Sequence, residues 1–338
     1  MRPPKAVAGM TLAQAMEGLP AEFGFFAERF ESEVAPALFA REAERVAAAR
    51  RQRLGLLAAA LVGGALALSG FALFQSEIGL FAGLAAGAGI AFWGGLPLQK
   101  LGRETKLMLV EPVARQFAIA FTPDPPAPEE MGELRTLQLV PSWDRARYED
   151  RLEGTRSATP FRFFEAHLEE KRTTSDGKGR TRTQWVTVFR GQCLSASFPK
   201  PFEGVTKVYR DAGVFNALMR MGKGGERVKL EDPRFEKAFE VVSTDQVEAR
   251  FLLTPDFMER LLALEATFKG RKLRCAFAGG RMLVCVEGKS LFEPGSMHRP
   301  MADLARVREM LRDFAAVFLL IDAMVERRTP EALRAATD

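Results

Sequence analysis

Between Leu54 and Leu98 the chain carries a single ionisable residue, Glu77, and that stretch constrains everything around it. Leu54–Phe74 (LGLLAAALVGGALALSGFALF) and Ile78–Leu98 (IGLFAGLAAGAGIAFWGGLPL) are both free of charge. At a rise of 1.5 Å per residue each would form a helix about 31 Å long, against a hydrocarbon core of ~30 Å. Gln75-Ser76-Glu77 is the polar break between them, long enough to turn the chain and no more. The pattern predicts a two-helix transmembrane hairpin over residues 54–98. Residues 1–30 do not read as a signal peptide, because Glu17, Glu22, Glu28 and Arg29 interrupt any apolar core.

Basic residues set the expected orientation. Arg41, Arg45, Arg50, Arg51 and Arg53 precede the first span, Lys100, Arg103 and Lys106 follow the second, and the connecting loop has none. Positive flanks stay cytoplasmic. Arg50, Arg51, Arg53, Lys100 and Arg103 therefore predict both termini and the bulk of the chain on the cytoplasmic side, with Trp93 at headgroup depth near the inner end of the second span. Small residues recur at fourfold spacing: Ala59, Gly63 and Ala67 on the first span, Gly79, Gly83 and Gly87 on the second. Such rows let helix backbones approach closely, either within the hairpin or across a homo-oligomer. No acid, base or histidine lies mid-span, so a transport path or proton relay is not expected.

Outside the spans charge is dense but balanced. The net charge of +5, from 48 Lys/Arg against 43 Asp/Glu, is too diffuse to form the basic face of a nucleic-acid domain. Cys193, Cys275 and Cys285 are an odd, sparse set that suits a reducing compartment and no disulfide framework.

Residues 1–53 read as a helical cytoplasmic segment: short helices over Thr11–Met16 and Glu22–Phe30, then a helix from Glu33 to Arg53, capped by Ser32, that runs into the membrane. Residues 99–132 read as a juxtamembrane helix, Gln99–Phe121, kinked or restarted at Pro112, followed by the proline-rich spacer Thr122–Pro128. Residues 133–328 read as an α+β domain and 329–338 as a tail. Strands are expected over Phe161–Glu169, Thr183–Arg190, Gln192–Phe198 and Gly204–Arg210, a helical turn over Val214–Met221, and strand-like segments over Phe235–Ser243 and Val247–Leu253. Thr254 should cap a helix over Pro255–Phe268. Lys272–Phe277 and Arg281–Val286 should form a hairpin about Gly279-Gly280, opposing Cys275 to Val284 and Cys285 to Arg274, so that the two thiols face opposite ways. The long amphipathic helix Met301–Arg328 offers Leu304, Val307, Leu311, Phe314, Val317 and Phe318 to cover the sheet. The fold class is thus α+β: a two-helix transmembrane hairpin, then a cytoplasmic antiparallel β domain with a long C-terminal capping helix, comparable by analogy to a pleckstrin-type barrel.

No catalytic, cofactor or metal set emerges. His167 and His298 have no second ligand at metal spacing. Gly222-Lys223-Gly224-Gly225 lacks the Ser/Thr and the flanking elements of a phosphate loop. Asp232, Glu236, Glu240, Asp245 and Glu248 interleave with Arg234, Lys237 and Arg250 as a solvated, ion-paired surface, although paired carboxylates there could also serve an enzyme. Cys193 lacks an evident base and reads as a packed thiol. The basic tip Lys171, Arg172, Lys178, Arg180 and Arg182 is a candidate contact for anionic lipid or a partner.

Leu230–Leu262 (LEDPRFEKAFEVVSTDQVEARFLLTPDFMERLL), with Tyr148–Gly154, a turn at Phe189-Arg190-Gly191 and Leu291–Pro294, resembles the bacterial family known as domain of unknown function 3137. The resemblance implies a bacterial inner-membrane protein with a cytoplasmic domain and a membrane-protein partner, and it implies no activity. The expected role is a membrane-anchored interaction module for protein or lipid headgroup. An enzyme using carboxylates around 232–248, and an oligomeric envelope scaffold built on the glycine row, stand as alternatives.

Overall fold

The computed structural model describes residues 10–74, 77–175, 181–198, 200–210, 225–267 and 272–325. The chain divides into two compact units, one from Met1–Glu17, Ala21–Val113 and Phe292–Leu311, the other from Gly18–Pro20, Ala114–Leu291 and Arg312–Asp338.

In the first unit, Thr11 opens helix α1 (Leu12–Met16) with a capping box shared with Gln14. A 3-10 turn at Ala21–Phe23 leads into α2 (Phe26–Arg29), a π-helical turn (Phe30–Val34) and α3 (Ala35–Ala40). Phe23, Phe26 and Phe30 are buried together, as their spacing suggests. Ser32 does not cap a helix there. The helical backbone passes through it, and its hydroxyl donates back to the Glu28 carbonyl at 2.9 Å. The expected single helix from Glu33 is interrupted at Arg41, after which α4 (Glu42–Phe74) begins. Helix α5 (Glu77–Gln116) runs unbroken through Pro97 and Pro112 rather than restarting at Pro112, and it ends before Phe121. Both α4 and α5 are long and apolar enough to cross a membrane. Only 11% and 22% of their most apolar stretches are buried within the chain, unlike the core helices of a water-soluble domain.

The second unit is built on a nine-stranded antiparallel sheet. In chain order the strands are β1 (Ala120–Thr122), β2 (Arg145–Arg156), β3 (Thr159–Ser175), β4 (Thr181–Ser197), β5 (Thr206–Arg210), β6 (Glu226–Val228), β7 (Phe239–Ser243), β8 (Leu273–Ala278) and β9 (Arg281–Glu287). Their spatial order is β1-β2-β3-β4-β9-β8-β5-β7-β6, so β1 and β6 are its two ends. Helix α6 (Glu130–Thr136) lies on one face, where Met131, Leu134 and Leu139 join Phe164, Leu168, Phe189 and Leu283 in a buried cluster. Phe198, Phe202, Phe257 and Phe277 meet edge to face, with Phe257 supplied by α9 (Pro255–Thr267). The closing helix α10 (Leu304–Val325) sets Phe318 against Phe117, with ring centroids 4.8 Å apart, and joins Asp322 to Arg156 at 2.5 Å. The chain therefore has mixed helix and antiparallel sheet: two long apolar N-terminal helices, a β unit and a C-terminal helix.

The β8–β9 register matches the sequence reading, with Cys275 opposite Val284 and Cys285 opposite Arg274 about a Gly279-Gly280 turn of positive φ. Thr254 does hold the start of α9, accepting from the Phe257 amide at 3.4 Å. Several expectations fail for local reasons. Val247–Leu253 is not a strand but α8 (Gln246–Leu252), because Asp245 accepts from the amides of Val247 and Glu248 and caps a helix. Asp232 likewise caps α7 (Pro233–Ala238), so strand β7 starts at Phe239 and not at Phe235. Phe189–Gly191 is no turn; it lies inside the continuous strand β4, which merges two expected strands. Strands β3 and β4 both run beyond Glu169 and before Thr183, so part of the expected tip is strand. Thr122, the first residue of the proline-rich spacer, closes edge strand β1, and the prolines follow beyond its ladder. The turn at Val214–Met221, Gly222–Gly224, the middle of the basic tip and the tail beyond Val325 lie outside the described residues.

Gly191 shows why glycine is needed in mid-strand. A Cβ there would stand 2.0 Å from the Val286 carbonyl oxygen on β9. Gly191→Ala is expected to destabilise the sheet unit by about 3 kcal/mol. Denaturant unfolding of the full chain in detergent checks this, and an unchanged midpoint would refute the steric account.

Candidate functional site

Small residues place α4 against α5. A Cβ on Gly63 would lie 2.8 Å from the Gly87 Cα, one on Gly83 2.3 Å from the Ala67 nitrogen, and one on Gly87 3.0 Å from the Ala59 oxygen. The six residues read from sequence, Ala59, Gly63, Ala67, Gly79, Gly83 and Gly87, thus lie along one seam inside the hairpin. Gly70 faces Gly79, and Gly55 faces Gly94, extending the seam at both ends. Gly55, Gly70 and Gly94 were not picked out from the sequence, although Gly55 continues the fourfold spacing of Ala59 and Gly63. The Gly79/Gly83/Gly87 row is turned onto α4 of the same chain.

At the basic end of the hairpin the arginines divide into two groups. Arg41 pairs with Glu104 of α5 at 2.7 Å and with Glu44 at 3.3 Å. Arg45 is buried, bonded to Glu42 and, through Nη1, to the Met297 carbonyl at 3.0 Å. Glu42 also accepts from the Met301 amide at 2.9 Å, and Arg306 donates to the Met301 and Ser296 carbonyls. The segment around 294–301 is thereby clasped to the foot of α4, with Pro294 and Met297 against Gly102. Arg50, Arg51 and Arg53 remain exposed, as do Lys100 and Arg103; Lys100 stands 4.0 Å from Glu104.

The basic tip becomes a two-stranded arm. Ladder pairing with β2 stops at Glu169, and that with β9 stops at Gly191, while β3 and β4 go on pairing with each other to Ser175 and Thr181. Lys171, Arg172 and Arg182 are exposed on it, with Arg172 beside Glu170 at 2.9 Å. Trp185 lies under the Arg145 guanidinium at 4.2 Å. Lys178 and Arg180 lie outside the described residues.

The carboxylates of 232–248 do not converge. Asp232 and Asp245 are helix caps, Glu236 accepts from the Leu230 amide, and Glu248 accepts from the Glu203 and Gly204 amides. Hydrogen bonds from Arg234 keep Asp232 below the usual carboxylate range. His167 meets the Thr187 hydroxyl at 2.9 Å. Cys193 faces Cys285 across β4 and β9 with Sγ atoms 3.7 Å apart; both thiols are buried and free, and burial pushes Cys193 upward. This contact escaped the sequence reading because it depends on the pairing of strands distant in the chain.

Glu165 was also missed. It sits on β3 with 4% of its surface exposed, accepts from the Leu291 amide at 2.6 Å and lies 3.4 Å from the Gln192 amide nitrogen. Gln192 in turn donates to the Lys289 carbonyl at 2.6 Å, so the pair pins the loop after β9. Burial, with Asp150 nearby, raises the Glu165 carboxyl to about 8, the Leu291 amide opposing the rise. The available signal was a charged residue at an inward position of an apolar strand, in step with Phe161 and Phe163.

The fold and site define a chain with an apolar two-helix hairpin, a basic rim at its foot and an antiparallel sheet unit. Residues 187–325 match the model of the family described as protein of unknown function (DUF3137), the family the sequence resembles. No curated protein matches. A crystal structure of the mycobacterial trehalose monomycolate transport factor A, TtfA, is similar over 65% of this chain and 94% of that one, at 12% identity and a TM-score of 0.29. So slight a likeness carries no argument.

Two outcomes follow. The folded state holds the Glu165 proton more tightly than the unfolded chain, whose ordinary value is 4.5. The contribution of Glu165 to stability is then fullest below pH 4.5 and falls as pH rises towards about 8, by on the order of a few kcal/mol. Glu165→Gln should flatten that slope, and unfolding midpoints measured from pH 5 to about 9 with the same slope in both proteins would exclude this assignment. Gly83→Leu should force α4 and α5 apart, read as a longer spin-label distance between Leu57→Cys and Phe92→Cys; an unchanged distance would show that the seam does not set the spacing.

Proposed function

We propose that this chain is a multi-pass protein of a bacterial inner membrane, anchored by the α4–α5 hairpin with both termini in the cytoplasm, and that its sheet unit is an interaction module. What supports the anchor is the placing of Arg50, Arg51, Arg53, Lys100 and Arg103 at one end of two helices able to span a bilayer. The observation that carries the interaction role is the β3–β4 arm. Past the ends of β2 and β9 its outer edges present backbone groups outside any ladder, a ready template for strand addition. Its basic side chains disfavour self-pairing and suit an acidic partner, a membrane protein or an anionic headgroup. The capping roles of Asp232, Asp245 and Glu248 offer no support to a carboxylate enzyme.

The native thiols are buried, so a cysteine at Thr183→Cys on the arm reports alone. In intact cells an impermeant maleimide should label it only after the inner membrane is permeabilised. A thiol-directed photocrosslinker there should give a discrete adduct that disappears when Lys171, Arg172 and Arg182 become serine. Labelling without permeabilisation would overturn the orientation, and an adduct indifferent to those substitutions would overturn the role of the arm.

A further inference from the structure

We propose that the groove where the basic ends of α4 and α5 meet is a binding site for one anionic phospholipid, headgroup on Arg50 and Arg51 and acyl chain along the helices. The proposal rests on the membrane reading above and goes beyond it by naming a ligand class and a site distinct from the arm. The groove is open to the surroundings along its length, with a volume of about 720 Å³. Its floor is the closest approach of the two backbones at this end, where a Cβ on Gly55 would lie 3.1 Å from the Gly94 Cα. A Cβ on either glycine would press on the backbone of the other helix and spread this floor.

Its lining changes character along its length: Leu54, Ala58 and Ile90 lie towards the middle of the spans, Arg50 and Arg51 with Trp93 stand further out, and Ala43, Val46 and Ala47 line it beyond the arginines. Leu54 is 56% exposed and Trp93 68% exposed, so neither is covered by the chain itself. From the middle of the spans outward as far as the arginines, hydrocarbon gives way to an indole and two cations, the order in which a phospholipid presents acyl chain, glycerol and phosphate.

Among the described residues no acidic side chain lines the groove. The carboxylates closest in sequence are engaged elsewhere, Glu42 with Arg45 and Glu44 and Glu104 with Arg41. Neither Arg50 nor Arg51 makes an ion pair among the described residues. A guanidinium presents a fork of donors that matches the oxygens of a phosphate, so Arg50 and Arg51 beside this apolar slot suit an anionic headgroup.

The test uses the full chain with Trp143→Phe and Trp185→Phe, which leaves Trp93 as its one fluorophore among the three tryptophans. It is reconstituted into phosphatidylcholine vesicles containing brominated phosphatidylglycerol or, separately, the same mole fraction of brominated phosphatidylcholine. The expected result is quenching of Trp93 that saturates at low mole fraction with the anionic lipid, at an apparent affinity on the order of ten-fold above the zwitterionic one. Arg50→Gln with Arg51→Gln should bring the two curves together, while Lys100→Gln should leave them apart. Equal quenching by both lipids in the parent chain overturns the site, and so does a preference that survives loss of both arginines. Vesicle flotation of each protein separates this from the anchor: a chain that fails to co-float overturns the membrane reading itself, whereas one that floats without lipid preference overturns the site alone.

Discussion

A peptide group in hydrocarbon has no water to bond, so every N–H and C=O must be satisfied by the element that carries it. In the membrane setting proposed above, two charge-free runs of this length meet that demand as helices, and what then fixes one against the other is not the hydrophobic effect, since lipid tails are as apolar as leucine. Close backbone contact does it instead. The seam from Gly55–Gly94 through Gly63–Gly87 and Ala67–Gly83 to Gly70–Gly79 keeps one antiparallel register over the length of the pair. It also brings the basic ends of α4 and α5 together, which is what allows Arg41 to reach Glu104 and sets Trp93 beside Arg50 and Arg51. The rim and its groove are by-products of how tightly glycines pack.

What the sequence made legible shares one property: the signal is local or repeated. Absence of charge over each span, the Gly279-Gly280 turn that pins the β8–β9 register, and the proline and threonine at the start of α9 can all be read without knowing what lies next to them. The Val247–Leu253 error shows the limit of periodicity. A short apolar segment suits period 2 and period 3.6 about equally, and the Asp245 side chain decided between them by capping. Gly191, Glu165 and the Cys193–Cys285 contact owe their character to strands far away in the chain, so no window of neighbouring residues could reveal them.

The acids divide along the same line. Those of 232–248, conspicuous in sequence, act on their own backbone as caps and loop ties. The inconspicuous Glu165, one charge among phenylalanines, is the carboxyl whose proton affinity the fold changes most plainly, and it does so while holding the loop that follows β9. Density of like residues along the chain is a poor guide to where an ionisable group meets an unusual environment; depth in the sheet is a better one.

The interleaving of the two units along the chain has a practical corollary. The polypeptide leaves the sheet unit after Leu291, contributes Phe292–Leu311 to the unit of the hairpin, and returns at Arg312 within a single helix. A fragment cut to begin after the spans would therefore keep an excursion whose anchoring partners, Arg45 and Glu42, had been removed, leaving Met297, Met301 and Val307 without their normal cover. Such a fragment would tend to self-associate through that stretch. Poor solubility of a truncated product would thus report on how the gene was divided and not on any weakness of the sheet.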